Sequence, residues 1–178
     1  CPTLHLEAHR AFDALVPELA GAGPLAVASP DPGGVKRALL WREELEARLA
    51  RPVHFAMVDK RRSLGLVSSG HLVAGDVDGA TVLLLDDLIA SGETMLSAAT
   101  ALRHAGAREV VALAAHGLFV GAAAKALADE HLAGVVVTDS MPAFRLPAGG
   151  PVARKLRVVS AAPLFAQAIR ESHSAWLR

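Results

Sequence analysis

Two adjacent carboxylates followed by a loop rich in hydroxyl groups are the residues of this sequence best suited to chemistry. Asp86 and Asp87 come directly after the apolar segment 81–85. The residues that follow shortly after are Ala90, Ser91, Gly92, Glu93 and Thr94. Carboxylates accept hydrogen bonds from the neighbouring hydroxyl groups of a sugar, and hydroxyl side chains beside free backbone N–H groups bind a phosphate. The pattern therefore predicts a site for a phosphorylated sugar with two adjacent hydroxyls, such as ribose 5-phosphate.

The elements around this loop place it where ligands usually bind. Segment 81–85 is predicted as a buried strand, and 91–105 as a helix that Gly106 ends. Ligands of open α/β sheets bind beyond the carboxyl ends of strands, and a helix N-terminus there favours an anion. The alternative is that Ser91 only caps the helix and that both acids are solvated. The complete string 86–94 favours the phosphate site.

Apolar segments alternate with helical patterns along the whole chain. Strands are predicted at 24–29, 53–58, 81–85, 109–115, 134–138 and 156–159. Helices are predicted at 6–19, 33–50, 91–105, 121–130 and 163–173. Loops are predicted at 63–79, with an extended piece at 71–77, and at 142–151. Nearly continuous apolar strands separated by helices predict one α/β domain over 1–178, with a mostly parallel, twisted sheet covered by helices on both faces.

Composition excludes several classes of partner. Among 178 residues, 18 basic side chains balance 18 acidic ones, so the chain lacks the electrostatic footprint of a nucleic-acid binder. No apolar run reaches the roughly 18 residues of a membrane helix, and no signal-peptide pattern is present. The single cysteine, Cys1, forms no intrachain disulfide, which fits a cytoplasmic protein. Because the chain begins with Cys1 rather than Met, we expect a processed product or a fragment of a longer protein.

Four further positions could take part in the site. Asp31 follows a predicted strand, and a carboxylate there suits Mg²⁺, although it could equally serve a tight turn with Pro32. Lys60 and Arg62 could close over a polyphosphate, or they could form a solvated basic turn. His116, at the end of a predicted strand, could line the site, although a structural role is the more common one for such a histidine.

Segments along nearly the whole chain resemble the ribose-phosphate diphosphokinases, which have the type I phosphoribosyltransferase fold. The matching segments are 29–37, 59–62, 73–77, 86–94, 115–119, 136–138 and 159–164. The loop 86–94 taken alone is also similar to that of type I phosphoribosyltransferases. The order and extent of the other segments favour the diphosphokinases.

The resemblance implies a reaction and a role for each candidate. The family transfers the diphosphoryl group of ATP to the 1-hydroxyl of ribose 5-phosphate, which gives 5-phosphoribosyl 1-diphosphate and AMP. By this resemblance Lys60 is the catalytic lysine, Arg62 is its partner and a substrate ligand, and Asp31 is a ligand of the Mg²⁺ cofactor. The substrate-binding positions are Arg62, Asp86, Asp87, Ala90, Ser91, Gly92, Glu93 and Thr94.

The resemblance also implies what the chain lacks. It corresponds to the C-terminal half of a two-domain protein, so an N-terminal half or a neighbouring subunit of a homo-oligomer would complete the ATP site. Ala90, Glu93 and Pro32 depart from the family pattern. Two alternatives therefore stay open: a phosphoribosyltransferase, for which no aromatic-rich hood segment is evident, and a non-catalytic diphosphokinase-like subunit.

Overall fold

A twisted sheet forms the centre of the protein in the computed structural model, which describes residues 3–60 and 71–176. Its strands are β1 (Leu25–Ser29), β2 (His54–Lys60), β3 (His71–Gly75), β4 (Thr81–Ile89), β5 (Glu109–Gly117), β6 (Gly134–Thr138) and β7 (Leu156–Val159). Their spatial order is β3-β2-β1-β4-β5-β6-β7. Only β3 is antiparallel to its neighbour, and the other pairs described are parallel. The prediction of a mostly parallel α/β sheet is confirmed.

Helices cover both faces of this sheet. They are α1 (Val16–Ala20), α2 (Val35–Leu49), α3 (Glu93–His104), α4 (Ala123–Leu127) and α5 (Ala162–Trp176), with 3₁₀-helices at Ala8–Leu15, Pro32–Gly34 and Pro151–Arg154. Successive side chains of a strand point to opposite faces. Accordingly, Leu83 and Leu85 pack in the cluster that contains α1 and α2, whereas Val82 and Leu84 pack in the cluster of α3 and α4. The two helix layers explain why the central strands are apolar throughout.

Several predicted elements differ in extent from the observed ones. The strand predicted at 81–85 continues to Ile89 because β5 is equally long and pairs Leu88 with His116. The predicted helix 6–19 is a 3₁₀-helix followed by α1, and Pro17, which cannot continue a helical hydrogen-bond ladder, lies in the first turn of α1. The predicted helix 121–130 is only the short α4.

Trp41 on α2 packs against the 3₁₀-helix Ala8–Leu15 and so connects the N-terminal residues to α2. Its ring is fully buried, and its Nε1–H donates to Asp13 Oδ1 at 2.9 Å. The same carboxylate pairs through Oδ2 with Arg48 at 2.6 Å, and the ring of Phe12 packs edge-on against the indole.

None of the helices in the described ranges combines the length and the apolar character that crossing a bilayer requires.

We expect Trp41→Ala to lower the free energy of unfolding by about 3–5 kcal/mol, because the substitution leaves a large cavity and removes the partner of Asp13. Urea unfolding measures this value. Leu40→Ala on the same helix is the matched control, since Leu40 is 37 % exposed, and its cost should stay below about 1 kcal/mol. Equal losses for both variants would contradict the role given to Trp41.

Candidate functional site

The strand order reverses between β1 and β4, and Asp31, Asp86 and Asp87 lie at this point. The chain leaves β1 towards β2, but it leaves β4 in the opposite direction, towards β5. The connections therefore separate and open a crevice at the carboxyl ends of the two strands, which is the usual ligand site of such sheets. Asp31 follows β1, whereas Asp86 and Asp87 lie near the end of β4.

A guanidinium group bridges the two acids. Arg37, in the first turn of α2, contacts Asp86 Oδ1 through one terminal nitrogen and Asp87 Oδ2 through the other, each at 3.3 Å. Asp86 is largely buried, with 17 % of its side chain exposed, whereas Asp87 is 66 % exposed. Asp86 Oδ1 also accepts the backbone N–H of Asp87 at 2.8 Å. The sequence analysis assigned no role to Arg37, although it lies within the diphosphokinase-like segment 29–37.

The surroundings of the acid pair separate the pKa values of its members. Burial, together with the nearby carboxylates of Asp87 and Asp31, raises the pKa of Asp86 to about 6. Burial also opposes ionisation of Asp87, but a hydrogen bond with Asp86 and the charge of Arg37 outweigh it and lower the pKa of Asp87. The pair therefore holds a proton more readily than two independent carboxylates would. Hydroxyl donors or cations beside the pair would stabilise its ionised form.

Contacts with neighbouring segments fix the conformation of the loop after β4. Gly92 has φ +76°, a conformation that favours glycine, and a Cβ there would lie only 3.1 Å from Leu127. The carbonyl of Ala90 accepts the N–H of Val120 at 3.0 Å, which fixes the loop to the segment after β5. Helix α3 begins at Glu93, so its first-turn N–H groups have no partner within the helix.

The turn after β1 is equally well defined. Asp31 Oδ1 accepts the N–H of Gly34 at 3.2 Å, and the hydroxyl of Ser29 donates to the carbonyl of Asp31 at 2.6 Å. Gly34 is buried, and a Cβ at this position would lie 2.5 Å from Ser29 Oγ. The tight-turn role considered for Asp31 is therefore present in the structure, and it leaves the second carboxylate oxygen of Asp31 outside this hydrogen bond.

A cavity of about 250 Å³ adjoins the acid pair on the side of α2. Its polar lining includes Glu7, His9, Arg37, Asp86, Asp87 and His116. His116 Nδ1 lies 2.8 Å from Ser140 Oγ, so one ring nitrogen is engaged while the residue remains exposed. His9 is fully buried, with Nε2 bonded to Glu44 at 3.0 Å, whereas Nδ1 has no hydrogen-bond partner among the described residues and lies 3.8 Å from Glu7 Oε2. Sequence reasoning missed His9, because its partners lie far away along the chain.

The catalytic assignments remain predictions. Strand β2 ends at Lys60, and β2 lies beside β1, so the backbone of Lys60 reaches the same edge of the sheet as Asp31. The side chain of Lys60 and all of Arg62 lie outside the described residues. Within 3–60 and 71–176, no group of three or more His, Cys, Asp or Glu side chains is arranged to hold a metal ion.

Opposite pH dependences should distinguish the two acids. Because the pKa of Asp86 is raised in the folded chain, its protonated form contributes stability that is fully present below the pKa of this group in the unfolded chain. This stability is lost as the pH rises through about 6. Asp86→Asn cannot ionise, so the stability of this variant relative to the natural chain should rise between pH 4 and pH 8.

Asp87→Asn is the matched control. Because the pKa of Asp87 is lowered in the folded chain, its ionised form contributes stability that is present at neutral pH. This stability is lost as the pH falls from the pKa of the unfolded chain through the lower pKa of the folded chain. This variant should therefore lose stability relative to the natural chain as the pH rises. Urea unfolding at several pH values measures both trends, and parallel curves for the two variants would contradict the assignment.

Comparisons with known proteins identify relatives of this chain. A family model described as the phosphoribosyl synthetase-associated domain matches residues 67–176. A ribose-phosphate pyrophosphokinase of Caldanaerobacter subterraneus subsp. tengcongensis is 40 % identical over 149 residues, which are 84 % of this chain and 44 % of that protein. The enzyme of the same name from Pasteurella multocida is 41 % identical over 144 residues, which are 81 % of this chain and 43 % of that protein.

A solved structure has the same fold over nearly the whole of this chain. Phosphoribosylpyrophosphate synthetase from Mycobacterium smegmatis superposes with a TM-score of 0.74 at 31 % identity, over 94 % of this chain and 51 % of that chain. This chain thus spans less than half the length of the two pyrophosphokinases compared above. The family model covers well over half of the sequence. The chain therefore belongs to the phosphoribosyl synthetase family.

Proposed function

We propose that this chain is the ribose 5-phosphate-binding half of a ribose-phosphate diphosphokinase. The reaction transfers the diphosphoryl group of ATP to the 1-hydroxyl of ribose 5-phosphate and gives 5-phosphoribosyl 1-diphosphate and AMP. The observation that carries this proposal is the acid pair Asp86–Asp87 at the strand-order reversal, followed after a short loop by the N-terminus of α3, where the N–H of Glu93 donates to Ser91 Oγ at 3.5 Å. Membership in the phosphoribosyl synthetase family supports it.

The two ends of the substrate would bind to different parts of this site. Asp86 and Asp87 accept hydrogen bonds from the ribose hydroxyls, and the 5-phosphate lies at the start of α3. There the hydroxyls of Ser91 and Thr94 and the first-turn N–H groups supply donors. Glu93 is exposed, so its carboxylate can stay in solvent while its backbone takes part in the turn. Ala90 contributes only backbone, which its carbonyl bond to Val120 already positions.

Charge neutralisation of the transferred group is assigned to Lys60 and Arg62. Diphosphoryl transfer depends mainly on positioning and on stabilising negative charge that develops on the transferred oxygens. The position of β2 beside β1 supports this assignment for Lys60, because it brings the end of β2 to the edge that carries Asp31. For Arg62 the support is the family resemblance of segment 59–62.

The carboxylate of Asp31 fits a magnesium ion that is held mainly by waters and substrate phosphates. Asp31, Asp86 and Asp87 bring three carboxylates close enough for Asp31 and Asp87 to raise the pKa of Asp86. Mg²⁺ is commonly held by one or two carboxylates together with waters and substrate phosphates. We assign Asp31 as its protein ligand, and the ion would supply charge neutralisation for the polyphosphate. Because one carboxylate gives little affinity, the ion should bind together with a phosphorylated substrate.

The remaining parts of the enzyme lie outside this chain. We infer that it corresponds to the C-terminal half of a two-domain, homo-oligomeric, cytoplasmic protein whose other half completes the ATP site. The share of the relatives' length that the chain covers, 44 % and 43 %, supports a second half of comparable size.

The chain should bind ribose 5-phosphate in isothermal titration calorimetry, and Asp87→Ala should weaken this binding about tenfold or more, because hydrogen bonds to charged groups contribute about 1.5–3 kcal/mol. Asp76→Ala is the control, since Asp76 is an exposed carboxylate outside the site. Unchanged affinity in Asp87→Ala would refute the ribose assignment.

Turnover should require the longer form of the protein that contains both halves. With ATP, Mg²⁺ and ribose 5-phosphate, this form should produce AMP and phosphoribosyl diphosphate, and Lys60→Ala should lower kcat by about 100-fold or more. Lys125→Ala, an exposed lysine on α4, is the matched control. Intact ribose 5-phosphate binding without turnover would support the non-catalytic alternative instead.

A further inference from the structure

Arg37 occupies one side of the acid pair on which the proposed function depends. In the ranges 3–60 and 71–176 it is the one cation that pairs with Asp86 or Asp87. It touches one oxygen of each carboxylate at 3.3 Å, so a single guanidinium spans both groups. A planar guanidinium contacts each acid through a separate terminal nitrogen, whereas a lysine ammonium would have to reach both from a single nitrogen.

This bridge leaves capacity for sugar hydroxyls. An ionised carboxylate has about four acceptor positions, so the pair has about eight. Arg37 takes one on each carboxylate, and the N–H of Asp87 takes a further position on Asp86. Neutral hydroxyl donors can use remaining positions without meeting repulsion from the guanidinium.

A divalent cation meets a different situation. Two carboxylates at the end of one strand would attract Mg²⁺, but the fixed positive charge of Arg37 opposes a second cation within a few ångströms. Asp31 is not among the contacts of Arg37, so it remains available to the ion. Both residues belong to one structural unit, since α2 starts immediately after the Asp31–Gly34 turn and carries Arg37 in its first turn.

We propose that Arg37 keeps divalent cations off Asp86 and Asp87, so that this acid pair stays available to the hydroxyls of ribose. The inference rests on the proposed function and deepens it. Arg37 is thus a positioning residue that directs the metal towards Asp31 and the substrate oxygens. Metal binding and sugar binding thereby occur on different carboxylates of one crevice.

The test is a titration of the chain with Mn²⁺ in place of Mg²⁺, followed by electron paramagnetic resonance, without and with ribose 5-phosphate. Without the sugar, Arg37→Met should bind Mn²⁺ about tenfold more tightly than the natural chain at low salt, because one unit charge near the ion is removed. Ribose 5-phosphate should strengthen Mn²⁺ binding to the natural chain, and this gain should be smaller in Arg37→Met.

Two further variants keep the test specific. Arg42→Met removes a charge from the same helix, where Arg42 pairs with Glu46 at 2.8 Å, and it should leave Mn²⁺ affinity unchanged. Arg37→Lys keeps the charge, so its Mn²⁺ affinity without the sugar should stay near that of the natural chain. If Arg37→Met fails to fold in urea unfolding, Arg37→Gln replaces it as the neutral variant.

The outcomes separate this inference from the proposed function. Equal Mn²⁺ affinity for the natural chain and the neutral variant would overturn the role of Arg37, and so would an equal gain in Arg42→Met. Failure of the natural chain to bind ribose 5-phosphate would instead refute the proposed function. Whether or not the natural chain binds ribose 5-phosphate, tighter Mn²⁺ binding by the neutral variant without sugar supports the inference that Arg37 keeps metal ions off the acid pair.

Discussion

The parallel pairing of β1 with β4 is the constraint on which the site depends. The register places Ala28 beside Leu84, so Asp31, three residues after Ala28, and Asp86, two residues after Leu84, lie at the same edge of the sheet. Every residue of β1 is buried, and so are the residues of β4 from Thr81 to Leu85. A shift of one residue would turn each side chain to the opposite helix layer and disrupt the close packing of both layers, which fixes the register. The distance between the two acidic groups is therefore set by the core.

The acid cluster is unfavourable for the free protein and is maintained by its surroundings. Burial and two neighbouring carboxylates raise the pKa of Asp86, which means that its charged form is destabilised. Arg37 offsets part of this cost, and it comes from a helix whose start is fixed by the Asp31–Gly34 turn. Proteins commonly retain such unfavourable groups where binding requires them.

The N-terminal segment closes the crevice from the side of α2. His9 and Arg10 both bond to Glu44 on α2, at 3.0 and 2.8 Å, while Phe12 packs on Trp41. Burial raises the pKa of Glu44, but the hydrogen bonds from Arg10 and His9 and the positive charges nearby outweigh it, so the pKa is lowered overall. These contacts place the 3₁₀-helix Ala8–Leu15 at the wall of the cavity that adjoins the acid pair.

The sequence by itself determined the fold class, most strands, and the acid pair with its loop, because these depend on local patterns of apolar residues, turns and hydroxyls. It predicted β4 as ending at 85, whereas pairing with β5 extends the strand to Ile89. It also missed the bridge between Arg37 and the acid pair, whose partners are 49 residues apart. Strand order and register are long-range properties, so only the tertiary structure decided which charges meet in the crevice. The assignments of Lys60 and Arg62 rest on resemblance and stay predictions.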